Sequence, residues 1–339
     1  MSSSTTPQPP NKKAACIQFH VGSNQTTNIQ TAKLAIDTAC KDNIGLVVLP
    51  EVWNSPYATC AFPEYGEVLP EVGEGGGGSS SESVRMLAEQ ARKYKIWIVG
   101  GSIPEAVLPT TVDVDERTDG KSSLDGKSPK KIYNTCLCFN PEGVIVAKHR
   151  KVHLFDINVP GGITFRESDT LTAGSTLLSS FDTGKDFGVV GVGICYDIRF
   201  PELALLLSKE RGVSLICYPG AFNMVTGPAH WELLQRARAV DSQCYVLTAS
   251  PARATEEMIA DTVKEGMFPP YTAWGHSSIV NPWGEVIATC DEKVATVVAE
   301  IDLDKVRHMR SSIPTCEQKR GDLYEVLEKV QLKREGGAV

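Results

Sequence analysis

The sequence predicts an α/β fold of four layers, an α-β-β-α sandwich built from two similar halves within one domain. Three observations predict it. Apolar strand patterns alternate with helical ones along most of the 339 residues. Two turns read Asn-Pro-x-Gly, at 140–143 and 281–284, and two buried strands are closed by proline, at Pro50 and Pro219, in matching places. Neither half can bury both faces of its sheet alone, so the two sheets are expected to pack face to face with helices outside.

The first half opens with an apolar strand at 14–19. A helical pattern follows, with Ile29, Ala32, Ile36 and Ala39 on one face, then a buried strand at 46–49. A second helix carries Val84, Leu87, Ala91 and Tyr94 and leads into a strand at 96–100. Strands at 132–139 and 144–148, joined by the turn at 140–143, read as a hairpin. The second half repeats that order: strand 187–195, a helix starting at Pro201, strand 213–218, a helix from about 230 to 239, strand 244–249, and a hairpin of 277–280 with 285–288. Two independent doubly wound domains would need a linker near 150–183, and that stretch is too rich in apolar and aromatic residues to be one. Outside the pattern stand a Gly-Ser run at 75–81, read as a flexible loop, a charged stretch at 105–131, read as a solvated insertion, and a long connection at 255–270. In that connection Ile259, Met267 and Phe268 suggest packing. The segment 305–339 is expected to pack on the domain (14–304) or on a partner subunit.

Composition narrows the class. With 42% apolar and 22% charged residues the chain is an ordinary globular protein, and a net charge of −7 disfavours nucleic acid or an anionic membrane as partner. The longest apolar run, 187–196, is far short of a membrane span. Residues 1–13 read as a disordered leader without a secretory or organellar signal. Ten cysteines without an export signal argue for a reducing compartment, the cytosol by default with mitochondria as the alternative. Their spacing completes no zinc site, so no metal is expected.

Cys195 ends an apolar strand just before a helix that begins Arg199-Phe200-Pro201-Glu202. That position suits a nucleophile, and a helix N-terminus would favour its thiolate. Against this stands the commoner fate of a cysteine, burial as a small apolar residue, which Cys217 keeps. His153 and His276 sit at no spacing that makes a Cys-His pair and are as well explained as hydrogen-bonded scaffold. Glu51, at the mouth of a buried strand, is a desolvated acid suited to proton transfer, with a solvated loop acid as the alternative. Lys151 lies in a basic run, usually an exposed face, yet strand alternation turns it away from the face of Arg150. An inward lysine needs a negative partner or a developing anion. The glycines of 188–193 lack the order of a phosphate loop and more simply allow close sheet packing.

Three segments together resemble the nitrilase superfamily of carbon-nitrogen hydrolases: Leu49-Pro50-Glu51, the run Arg150-Lys151-Val152-His153-Leu154-Phe155-Asp156, and the run from Gly191 to Glu202 around Cys195. The resemblance spans about 14–324 and implies the same sandwich. It implies a triad of Glu51 as base, Lys151 as oxyanion partner and Cys195 as nucleophile, with Glu167 holding the lysine. Within the superfamily the chain looks closest to the omega-amidase branch, through Asn54-Ser55-Pro56-Tyr57, Tyr218-Pro219-Gly220-Ala221-Phe222-Asn223 and Trp274-Gly275-His276-Ser277 among others. That implies hydrolysis of the ω-amides of 2-oxo-dicarboxylic acid monoamides, without cofactor, by a homodimer or larger homo-oligomer. Arg199 is the candidate for the substrate carboxylate, with a structural ion pair to Glu202 or another acid as its alternative. Tyr57, Tyr196 and Phe222 are candidate pocket walls. A deaminated-glutathione amidase would share every catalytic residue, and a non-catalytic scaffold would share the fold. A dinucleotide-dependent oxidoreductase lacks its glycine fingerprint here.

Overall fold

A computed structural model describes residues 12–108, 131–158, 164–264, 268 and 271–329. Two sheets of matching topology form its centre. In the first, the strands Lys12–Gln18, Ile44–Val48 and Trp97–Val99 run parallel, followed by the antiparallel strands Lys131–Phe139 and Ile145–Arg150. In the second, Val189–Val192, Leu215–Pro219 and Tyr245–Ala249 run parallel, followed by antiparallel Ser278–Val280 and Val286–Thr289. Even the edges correspond. An antiparallel strand flanks the first member of each sheet, Ala295–Ile301 beside Lys12–Gln18 and Ser179–Asp182 beside Val189–Val192.

Strand alternation builds the layers. Ala14, Cys16, Leu46 and Val48 face the second sheet in one core, while Ala15, Ile17, Val47 and Leu49 meet the outer helices through Ile29, Ile36, Val84 and Leu87. Those helices, Gln25–Ala39 and Glu82–Tyr94, start at the side-chain caps of Asn24 and Ser81. Helices Pro201–Arg211 and Gly227–Ser242 cover the second sheet, each with proline in its first turn. The four-layer sandwich is the architecture the repeat predicts.

Several local expectations give way. Ile103–Val107 is a strand, which takes Glu105 out of the expected insertion: its carboxylate is buried and bonded by Arg150 and Thr135. The rest of that stretch, 109–130, lies outside the described residues, as do 1–11. Lys12 and Lys13, expected in the leader, already belong to the first strand. The glycine run is a packed turn: a Cβ at Gly76 would stand 2.8 Å from the Ala88 side chain, so lacking one lets the loop lie on the helix. Likewise Gly191 makes room for Leu207 of an outer helix, and Gly193 for the ring of Tyr218 in its own sheet, so neither serves the sheet-to-sheet contact. The connection after Thr255 contains a helix, Glu256–Lys264; Ile259 and Phe268 are half-buried, and Met267 is outside the described residues. Past the last strand, the helix Leu303–Ser312 buries Val306 and Met309 on the domain. The chain then runs over the outer helix Pro201–Arg211, where Glu325 pairs with Lys209.

Candidate active site

Glu51, Lys151 and Cys195 follow strands of the two main sheets, and Glu167 follows the small two-stranded sheet of Asp156–Asn158 and Thr164–Arg166. The strand Ile44–Val48 delivers Leu49-Pro50-Glu51, and the chain then turns sharply: Val52 has φ +48°, a left-handed conformation that a β-branched residue rarely takes. The turn is pinned by bonds from the Val52 and Trp53 N–H groups to Ser102, and from Trp53 Nε1 to the Gly100 carbonyl. Cys195 sits at φ +45° at the start of a 3₁₀ turn, Cys195–Arg199, three residues past the strand Val189–Val192. Backbone strain at both places is characteristic of functional positions.

Lys151, immediately after the strand Ile145–Arg150, is buried as its alternation predicts. Its ammonium donates to Oε1 of Glu51 and to Oε1 of Glu167, each at 2.9 Å. Glu167 opens the short turn after the strand Thr164–Arg166, and its other oxygen accepts from the Phe155 N–H at 2.7 Å. Burial opposes the lysine charge, but the charges of Glu167 and Glu51 outweigh it and raise its pKa well above the usual lysine value. Glu51 is also fully buried. Burial first, then the charge of Glu167, raises its pKa, with Lys151 pulling the other way. Its Oε1 accepts from Lys151, from Asn134 Nδ2 at 2.9 Å and from Tyr57 at 3.4 Å, while Oε2 has no such donor. The Cys195 thiol also interacts with this carboxylate.

The thiolate favoured by a helix N-terminus is not what this environment supports. Burial, then the negative charge of Glu51, raises the Cys195 pKa well above the usual thiol value, and Lys151 and the Ala221 N–H, 3.5 Å from the sulfur, do not compensate. The helix proper starts only at Pro201, so its dipole acts from a distance. The Cys195 sulfur thus lies beside a buried carboxylate, and the environment of each raises its pKa.

Tyr57 does more than wall a pocket. Its hydroxyl donates to Glu167 at 2.6 Å, and burial, then the charges of Glu167 and Glu51, raise its pKa well above the tyrosine value. Tyr271, 4.8 Å from Tyr57 between ring centroids, was not anticipated, and neither was Asn134. A small cavity beside Glu51 is lined by Tyr57, Tyr271, Ser55 and Ala252. On the other side, the Arg199 guanidinium lies 4.8 Å over the Phe222 ring and 5.6 Å over that of Tyr196, with His230 Nδ1 3.2 Å away. Among the described residues it has no carboxylate partner, so the alternative pairing with Glu202 is not formed. His153 is hydrogen-bonded scaffold, bonded to Asp197 at 2.7 Å; Asp197 in turn accepts from His149 and from the Ile194 N–H. Burial would raise the Asp197 pKa, but bonds from His149 and His153 hold it well below the carboxylate range.

Comparison with known proteins identifies the family. The family model described as carbon-nitrogen hydrolase matches residues 13–311. The chain belongs to the carbon-nitrogen hydrolase family. This carbon-nitrogen hydrolase is 47% identical to the chloroplastic omega-amidase of Arabidopsis thaliana over 95% of its own length and 76% of that protein's. It is 46% identical to an omega-amidase of Bos taurus, over 93% and 97% of the two chains. Among solved structures, Nit3 of Saccharomyces cerevisiae, a member of the nitrilase superfamily, superposes with a TM-score of 0.73 at 38% identity, over 94% of this chain and all of that one.

Proposed function

We propose that the protein is an omega-amidase, hydrolysing 2-oxo-dicarboxylic acid monoamides such as 2-oxoglutaramate and 2-oxosuccinamate to the oxo-dicarboxylate and ammonia. The observation that carries the reading is the buried arrangement of a thiol, a carboxylate of raised pKa and a doubly held lysine, with an arginine nearby that has no carboxylate partner among the described residues. The omega-amidases among its relatives support the substrate class. Glu51 takes the proton of Cys195 as the sulfur attacks the amide carbon, and gives it to the departing ammonia. Lys151 and the backbone N–H of Tyr196 stabilise the oxyanion, and Glu167 with Tyr57 fixes the lysine. Glu51 then activates water, which releases the acid from the thioester. No step needs a metal or an organic cofactor.

Arg199 distinguishes this substrate class from that of other amidases with the same triad. A desolvated carboxylate needs a fixed cation, and Arg199 is held by rings and has no acid partner among the described residues. Removing one partner of such a pair costs about 2–5 kcal/mol, so Arg199→Met should lower kcat/KM for 2-oxoglutaramate by roughly thirty-fold or more. A neutral amide of similar length should lose far less. Equal losses on both would assign Arg199 to the scaffold and leave the activity as that of a general amidase. Turnover of deaminated glutathione above that of 2-oxoglutaramate would favour the sister activity.

The ten cysteines are all unpaired, which supports a reducing compartment, the cytosol or the mitochondrial matrix. Leu233 and Val240 are exposed on the outer helix Gly227–Ser242, with Trp283 exposed on the nearby hairpin turn. They support a homodimer through that face. Sedimentation as a monomer at micromolar concentration would argue against it.

A further inference from the structure

The nucleophile and the lysine stand on different sheets, Cys195 after the strand Val189–Val192 and Lys151 after the strand Ile145–Arg150. No ladder of hydrogen bonds between those two strands fixes their separation, since each belongs to its own sheet. Nucleophilic attack with an oxyanion partner tolerates little error in that separation.

The Asp197 side chain joins the chain beside each of them. Asp197 is fully buried, and each carboxylate oxygen accepts two bonds. Oδ2 accepts from the Ile194 N–H at 2.9 Å and from His149 Nε2 at 3.0 Å. Oδ1 accepts from the His153 N–H at 3.0 Å and from His153 Nδ1 at 2.7 Å. Ile194 directly precedes the nucleophile, while His149 and His153 stand two residues either side of Lys151. The histidines are themselves fixed. His149 Nδ1 is 3.0 Å from Ser179 Oγ on the edge strand Ser179–Asp182, and the His153 ring stacks on Phe200 at 3.7 Å. An ionised carboxylate only accepts, so it sets the tautomers as well: Nε2–H on His149 and Nδ1–H on His153.

We propose that Asp197 is a positioning residue, a carboxylate latch between two histidines that sets the distance from Cys195 to Lys151 across the two sheets. It touches no reacting atom; it acts through the backbone of Ile194 on one side and through the chain flanking Lys151 on the other. The inference rests on the reading that Cys195 and Lys151 work together. An asparagine at 197 keeps the shape but offers one accepting oxygen and turns an N–H₂ towards existing donors.

The test uses the full-length protein and three variants, Asp197→Asn, His153→Ala and His153→Asn, the last placing an amide N–H near where the imidazole Nδ1–H stands. Steady-state rates on 2-oxoglutaramate are read together with the thermal midpoint. Asp197→Asn should lower kcat by about 100-fold with KM changed less than about 3-fold, since an error on the order of an ångström has that effect on rate. His153→Ala should lower kcat by about 10-fold and His153→Asn should recover most of that loss, on the scale of one hydrogen bond. A kcat within about 2-fold of the parent in folded Asp197→Asn, a loss confined to KM, or His153→Asn no better than His153→Ala would each overturn the latch. If Asp197→Asn does not fold, the His153 pair decides alone. Cys195→Ala is measured alongside: full activity there overturns the reading of the whole site, whereas its inactivity beside a normal Asp197→Asn overturns only the latch.

Discussion

The two halves of the sandwich place the same strand end to opposite use. In the first sheet the second strand closes with Pro50 and hands over a buried acid, Glu51; in the second it closes with Pro219 and hands over bare backbone, Gly220-Ala221, whose N–H points at the sulfur. The strain differs in the same way. Among the left-handed non-glycine residues, Val52 in the first half neighbours Glu51, and in the second half one is Cys195 itself, which follows the first strand of its sheet. A side chain that must be aimed inward is served by a strained neighbour. Under the proposed mechanism, a sulfur that meets substrate and base together is raised on its own strained backbone. The duplication supplies two equivalent platforms, and the chemistry comes from what each half puts on them.

The comparison breaks most visibly at Cys195. Cys195→Ala should abolish amide hydrolysis, a loss of about 10⁴-fold or more, while leaving the thermal midpoint close to the parent's. Appreciable turnover in that variant would remove the second half's assigned role. Glu51→Gln should cost about 10²–10⁴-fold in kcat, the usual range for a general base. The same residue predicts a pH profile. Glu51 acts as its carboxylate, and burial together with Glu167 raises its pKa, so activity should fall as pH drops through a value above the usual carboxylate range. An acid limb of kcat/KM at about pH 4 or below would show that another group, or an unperturbed one, carries it.

The repeat was legible because it is written in backbone constraints: prolines that end ladders and Asn-Pro-x-Gly turns that force hairpins at the same place twice. Glu51, Lys151 and Cys195 were legible as candidates through their motifs, and the burial of Lys151 also through alternation. What stayed hidden depends on partners distant in sequence. The strand Ile103–Val107 contains a proline and a glutamate, and partners distant in sequence, Thr135, Lys148 and Arg150, make Glu105 tolerable inside. Asn134 lies within a strand with no local mark, and its role exists only because Glu51 arrives from another one. Asp197 was in plain view inside the Cys195 motif. Its function required knowing that His149 and His153 approach from the other sheet. The reading of the thiol as favoured by a helix dipole leaves out burial and Glu51, which both raise its pKa, and neither is visible beside Cys195 in the chain.

The smallest expected effect is also the sharpest on the matter of strain. Replacing a residue by glycine and by alanine at one position and comparing the two variants cancels most of the lost packing and leaves the backbone preference. Val47, fully buried in the interior of the strand Ile44–Val48, is the reference: there alanine should be the more stable by about 0.5–1 kcal/mol, because glycine loses more freedom on folding. At Val52 and at Cys195 the sign should invert. A left-handed backbone costs an L-residue roughly 1–2 kcal/mol that glycine escapes, so glycine should be the more stable of each pair by up to about 1 kcal/mol after its own entropy is counted. Urea midpoints of the six variants, at constant m, give the three differences directly. Inversion at both positions would confirm strain shared by the two halves but carried on different residues, one beside its functional group and one upon it. Inversion at Val52 alone would mean that the Cys195 turn relaxes once the sulfur is gone, and that the contact with the Ala221 N–H, rather than the fold, holds the elbow in its strained form.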